Sequence, residues 1–98
     1  MTLPVVLTAA AEDDLDEAAQ WYENRSVGLG ANLVTKVRDT LFRIRDNPEL
    51  YPVVHRDIRR APVRRFPYGV FYRPKSDRVE VVGVFHDRRD PSVWKARA

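Results

Sequence analysis

The spacing of apolar residues changes once along this 98-residue chain, and that change constrains the fold more than any other feature. Up to Asn47, apolar side chains recur every three or four residues, which is the period of an amphipathic helix. From Ile58 onward they alternate with polar side chains in short segments bounded by prolines, which is typical of strands and turns. Helices followed by strands, rather than alternating with them, predict an α+β fold.

Two helices are predicted in the first half, after an apolar run at residues 3–7 that predicts a short strand. The first helix should span about residues 9–24, with Thr8 as its N-cap. The second should end at Asn47, because a residue that precedes proline resists the helical conformation. A short connection around Gly28-Leu29-Gly30 joins them, so we expect an antiparallel hairpin.

A central β-hairpin is predicted in the second half, with arms at residues 68–73 and 78–86. Strict alternation on the second arm predicts two faces, with Val79, Val81 and Phe85 on one and Glu80, Val82, Val84 and His86 on the other. Trp94, in a terminal turn, should fold back onto the domain. The predicted fold is therefore one domain over residues 1–98, with an N-terminal strand and a two-helix hairpin packed on a small, mainly antiparallel sheet.

Composition excludes several classes of site. The chain has no cysteine and two histidines far apart in sequence, so we expect no disulfide, no metal and no cofactor. No apolar run approaches the roughly 18 residues of a membrane span, and the N-terminus has no secretory signal pattern. We therefore expect a cytoplasmic protein without membrane association.

Charge is distributed unevenly between the halves. Residues 1–49 carry five basic and nine acidic side chains, whereas residues 50–98 carry twelve basic and five acidic ones, giving −4 and +7. Fourteen of the seventeen cations are arginine, whose planar fork suits phosphate and carboxylate groups. The second half is therefore predicted to meet an acidic partner, although a merely solvated basic surface fits the composition equally well.

The arginines of the second half accompany Tyr72 and His86. Cleavage of RNA by its own 2′-hydroxyl needs a base, an acid and cations, and these three residue types supply all of them. Each also has a structural interpretation, because His86 can bond at the end of a strand and Tyr72 can pack in a sheet. The residues alone leave both interpretations open.

Short segments along nearly the whole chain resemble the RelE/ParE superfamily of toxins from type II toxin–antitoxin modules, and they occur in the same order as in that superfamily. Besides the acid-rich segment 11–18, they are Trp21-Tyr22, Gly28-Leu29-Gly30, Ile44-Arg45-Asp46-Asn47-Pro48, Tyr51-Pro52, Ile58-Arg59-Arg60, Arg64-Arg65-Phe66-Pro67-Tyr68-Gly69-Val70-Phe71-Tyr72 and His86-Asp87-Arg88-Arg89-Asp90-Pro91 with Trp94. The resemblance implies a toxin that arrests growth, and a cognate antitoxin that neutralises it in a hetero-oligomer.

The superfamily divides by target. RelE-like members cleave messenger RNA on the ribosome, whereas ParE-like members poison DNA gyrase without nuclease chemistry. The segment from Phe66 to Tyr72 and the ending from His86 to Pro91 look more like ParE-like chains, so we expect gyrase inhibition. A ribosome-dependent messenger endonuclease is the alternative, so whether the chain is an enzyme stays open. A third interpretation is a non-toxic nucleic-acid-binding module.

Candidate site residues follow from these expectations. For the antitoxin they are Trp21, Tyr22, Leu33, Val37 and Phe42. For the target they are Arg59, Arg60, Arg64, Arg88, Arg89 and Trp94. If the protein is a nuclease, the candidate catalytic residues are Arg65, His86 and Arg88.

Overall fold

The computed structural model describes residues 2–98, which form three helices and a five-stranded sheet. In chain order the elements are β1 (Val5–Leu7), α1 (Ala9–Arg25), α2 (Leu29–Asp46), β2 (Val53–His55), β3 (Ile58–Pro62), β4 (Tyr68–Pro74), β5 (Val79–His86) and α3 (Pro91–Lys95). This order confirms the predicted α+β fold. No helix in residues 2–98 combines the length and the apolar character needed to cross a membrane.

The helix hairpin is fixed by caps at both helix starts. The Thr8 hydroxyl accepts a hydrogen bond from the Ala11 N–H at 3.1 Å, as the sequence predicted for an N-cap. Gly28, the N-cap of α2, has φ 88°, a left-handed conformation that favours glycine. The Glu23 carboxylate of α1 accepts hydrogen bonds from the N–H groups of Gly28 (2.9 Å) and Gly30 (3.1 Å). The first helix therefore caps the second.

The strands lie in the order β1-β5-β4-β3-β2. β1 pairs with β5 in parallel, and the other neighbours are antiparallel. The predicted hairpin is confirmed as β4 and β5, which pair from Tyr68 opposite His86 to Pro74 opposite Val79. The edge strand β2 was not predicted, because three residues show no recognisable alternation.

A bulge in β5 corrects the predicted faces of that strand. Tyr72 lies opposite Val81, but the preceding residue, Phe71, lies opposite Gly83. Val82 is therefore an extra residue in β5. The extra residue shifts the alternation by one position. Val84 therefore joins the helix-covered core, and Phe85 joins the opposite one. The predicted sets failed because strict alternation assumes no bulge.

Both faces of the sheet are covered. The front face, defined as the one under α1 and α2, buries Leu33, Val37 and Ile44 of α2 against Val70 and Tyr72 of β4. The back face carries a smaller cluster of Ile58, Phe71, Val82 and Phe85. As predicted, Trp94 folds back, and its ring stacks on Phe71 with a centroid distance of 4.9 Å. The functional residues must therefore be sought at the ends and edges of the sheet.

Candidate functional site

Four exposed arginines gather at one end of the sheet, which we name the arginine end. Arg64 and Arg65 lie in the β3–β4 loop, and Arg88 and Arg89 lie in the loop after β5. The two loops adjoin, because the Asp87 N–H donates a hydrogen bond to the Pro67 carbonyl at 2.7 Å. Within residues 2–98, none of the four forms an ion pair. Their charges are therefore available to an acidic partner.

The other predicted target residues are engaged within the chain. The Arg59 guanidinium donates hydrogen bonds to the carbonyls of Glu49 (3.1 Å) and Tyr51 (2.7 Å). Arg60 forms an ion pair with Asp87, and Trp94 is half-buried on the back face. These three side chains hold loops and the tail in place. The exposed basic surface is thus smaller than the sequence predicted.

His86 ends β5 beside the arginine end. Its Nδ1 accepts a hydrogen bond from the Arg88 N–H at 3.0 Å. An accepting Nδ1 carries no proton, so the neutral imidazole holds its proton on Nε2. The ring therefore presents a donor, and Nε2 can act as a base only if the bond to Arg88 is lost.

The predicted catalytic residues do not line one groove. A groove of about 350 Å³ between α1 and the end of β5 is lined by Asp14, Glu17, Ala18, Trp21, Tyr68, Val84, Phe85, His86 and Arg89, and we name it the histidine groove. Arg65 lines a larger groove of about 630 Å³ with Tyr22, Leu29, Asn32, Thr35, Lys36, Phe66 and Pro67, which we name the hairpin groove. Arg88 is part of neither lining. The candidate base His86 and the candidate cation Arg65 therefore line different grooves, whereas Arg88 adjoins His86 through its backbone.

Tyr68 is a site residue that the sequence did not single out. Its ring lies 5.3 Å from His86 and 6.0 Å from Tyr22, measured between ring centroids. Burial raises the pKa of Tyr68, nearby Tyr22 raises it further, and Arg89 opposes both. The phenol is therefore protonated at neutral pH and offers a donor. Its contact with His86 depends on the β5 bulge, which strict alternation does not reveal.

Tyr72, the other tyrosine considered for chemistry, is fully buried. Its hydroxyl donates a hydrogen bond to the Pro48 carbonyl at 2.6 Å, and burial raises its pKa to about 12. Arg59 lowers this pKa by a smaller amount. Tyr72 therefore joins β4 to the end of α2 and has no surface from which to meet a substrate.

The predicted antitoxin residues divide into exposed and buried groups. Trp21 is 51% exposed and Phe42 is 47% exposed, and Tyr22 is half-buried in the lining of the hairpin groove. Leu33 and Val37 are fully buried between α2 and the sheet. That part of the prediction is corrected, because a core residue offers no surface to a partner. Their apolar spacing on α2 reflects packing against the sheet.

Comparison with known proteins places this arrangement in a family. The sequence matches the family model of the ParE toxin of the type II toxin–antitoxin system parDE over residues 5–91. The chain belongs to the ParE toxin family. Its structure is similar to a chain of the chromosomal ParDE TA system from P. aeruginosa, with a TM-score of 0.74 and 16% identity over 86% of this chain and 95% of that one. No curated protein sequence matches significantly.

Membership of the ParE family makes this chain a toxin, and a toxin of this kind has an antitoxin as its partner. The structural similarity, at 16% identity, concerns the fold. Membership therefore favours the toxin interpretations over a non-toxic nucleic-acid-binding module. The target of the toxin has to be argued from the arginine end and the two grooves.

Proposed function

We propose that this ParE-family toxin acts in the cytoplasm and arrests growth by docking onto DNA gyrase through the arginine end. The observation that carries the proposal is the placement of Arg64, Arg65, Arg88 and Arg89 in two adjoining loops, where they are exposed and form no ion pair with the described part of the chain, residues 2–98. Docking through exposed cations needs complementary charge and a fixed presentation. The loops supply fixed positive charge at the end of a paired sheet, and the proposal requires an acidic surface on gyrase.

The hydrogen bonding of His86 also supports gyrase docking over RNA cleavage. A nuclease needs a base that reaches the 2′-hydroxyl. His86 Nδ1 is occupied by the Arg88 N–H, which leaves a proton on Nε2, and burial moves the pKa of the Tyr68 phenol still further above neutral pH. His86 and Tyr68 therefore both present donors, and the acceptors that remain in the histidine groove are the carboxylates of Asp14 and Glu17 on α1.

Messenger cleavage is the second candidate, and one observation favours it. Tyr68, His86 and Arg89 line the same groove, so an acid, a base and a cation lie together once the His86–Arg88 bond opens. On that mechanism His86 would be essential. On the docking mechanism His86 only supports the strand end, so the two candidates predict opposite effects of its removal.

Matched substitutions separate the two candidates. Replacing both Arg88 and Arg89 with alanine should abolish growth arrest and gyrase poisoning, whereas His86→Ala should weaken both only modestly. The control is the pair Lys75→Ala and Arg78→Ala, which removes equal charge from the opposite end of the β4–β5 hairpin. If His86→Ala instead lowers activity by about 100- to 10,000-fold with binding intact, as expected for a lost proton-transfer group, the nuclease is correct.

We further propose that the antitoxin covers the helix hairpin with an acidic, amphipathic segment. The hairpin groove supports this, because Tyr22, Leu29 and Phe66 supply apolar surface while Lys36 and Arg65 supply positive charge. Trp21 and Phe42 extend the exposed apolar surface of the two helices. An amphipathic helix that lays its apolar face into a groove uses such anchors.

A charge placed on this surface tests the antitoxin proposal. Phe42→Glu should weaken antitoxin binding by at least about tenfold while the toxin stays folded, because buried aromatic anchors dominate such interfaces. Val27→Glu is the control, since Val27 is 95% exposed in the turn between the helices. The affinities are measured by calorimetric titration. Equal affinities for Phe42→Glu and the unmodified toxin would place the antitoxin elsewhere.

A further inference from the structure

The edge of β5 that faces β1 is only partly covered by a strand. β1 pairs with residues Val79 to Val81, and among the described residues 2–98 no strand pairs with this edge beyond them. Two side chains bond the backbone there instead. Asp14 Oδ2 accepts a hydrogen bond from the Val84 N–H at 3.1 Å, and Arg97 Nη1 donates one to the Val82 carbonyl at 2.9 Å. Because unpaired backbone groups in a protein interior are costly, these bonds complete the sheet.

Asp14 and Arg97 also bond to each other. The guanidinium donates two hydrogen bonds to the carboxylate, at 2.6 and 3.2 Å, and the side chains are only 28% and 12% exposed for Arg97 and Asp14. A bidentate pair sheltered from water is stronger than an ordinary surface ion pair. The Arg97 guanidinium also lies 4.6 Å above the Phe85 ring. The pair thus links α1 on the front face to the C-terminal residues on the back face.

The pair holds a segment that we name the strap, residues 90–98. The strap covers the back face through the stacking of Trp94 on Phe71, and Arg73 donates a hydrogen bond to the Arg97 carbonyl at 2.8 Å. The loop with Arg88 and Arg89 lies between the end of β5 and the strap. Its conformation is therefore set from both sides.

We infer that the Asp14–Arg97 pair is a tether that orders the strap and, through it, the loop presenting Arg88 and Arg89. Asp14 and Arg97 are then positioning residues, which act on the target only through that loop. The importance of the loop for gyrase rests on the proposed function, whereas the ordering of the strap does not. Sequence patterns could not predict this pair, because Asp14 and Arg97 are 83 positions apart.

Hydrogen exchange measured by mass spectrometry tests the tether. In Arg97→Ala and Asp14→Asn, amides of residues 87–98 should exchange about tenfold faster, since a region that loses its anchoring contacts opens locally. Arg97→Lys keeps the charge without the fork and should give a smaller increase. The control is Asp13→Asn on α1, which removes the charge next to Asp14 without touching the pair or the strap. In Arg97→Ala, the amides of α1, α2 and β4 should stay protected.

A second readout distinguishes positioning from simple loss of stability. Arg97→Ala should weaken gyrase poisoning by about tenfold while changing antitoxin affinity by less than twofold, because neither Arg97 nor its partner Asp14 lines the hairpin groove. Unchanged exchange in residues 87–98, or parallel losses of gyrase poisoning and antitoxin affinity, would overturn the inference. If the unmodified protein fails to poison gyrase, the proposed function is refuted, and the exchange data alone then confirm or refute the tether.

Discussion

Replacing Tyr72 with phenylalanine removes one hydrogen bond from the centre of the fold. The hydroxyl donates to the Pro48 carbonyl at 2.6 Å from a fully buried ring. Loss of such a bond costs about 1–2 kcal/mol. In a domain of this size, that lowers Tm by roughly 4–16 °C. Growth arrest should persist at temperatures where the variant is folded, because Tyr72 is structural.

The pH dependence of the same variant checks the burial of the hydroxyl. The pKa of Tyr72 is raised from 10.0 to about 12, so the folded state holds a proton that the unfolded state releases. The resulting stabilisation is fully present below pH 10 and decreases as the pH rises towards 12, by about 3 kcal/mol in total. The stability advantage over Tyr72→Phe, measured by urea unfolding, should therefore vanish near pH 12. An advantage that is independent of pH would refute the buried hydrogen bond.

Two further substitutions test the β3–β4 loop and the β5 bulge. Arg65 has φ 67°, a left-handed conformation that strains any residue but glycine. Arg65→Gly should therefore raise the free energy of unfolding by about 1 kcal/mol while weakening docking at the arginine end. A fall in stability would contradict the strained turn. A Cβ added to Gly83 would lie 2.5 Å from Phe85 Cε2, so Gly83→Ala should destabilise the protein by about 1–3 kcal/mol. An unchanged unfolding midpoint for Gly83→Ala would show that the bulge has room to spare.

Local signals were sufficient to predict the helices and the central hairpin. Thr8 caps α1, and Asn47 ends α2, because capping and pre-proline geometry involve only neighbouring residues. The apolar stripe of α2 was also read correctly as a helix face. Its assignment to a partner was wrong for Leu33 and Val37, because periodicity shows which face is apolar and does not show what covers it.

Features that depend on distant residues could not be predicted in this way. The bulge that brings His86 opposite Tyr68 depends on the packing of β5 against β4, and alternation alone gives the wrong register. Arg59 and Arg60 looked like surface cations, yet one bonds to the carbonyls of Glu49 and Tyr51 and the other pairs with Asp87. Charge composition reports how many cations exist and does not report which of them are free.

The most direct test of the account is whether the purified toxin traps gyrase on DNA. Gyrase, supercoiled DNA, ATP and the toxin are incubated, and cleavage complexes are counted as linear DNA after denaturation. We expect linear DNA to accumulate with the unmodified toxin and with His86→Ala, and to be lost when Arg88 and Arg89 are both replaced with alanine. Intact gyrase activity together with cleaved messenger RNA on ribosomes would contradict the proposed target.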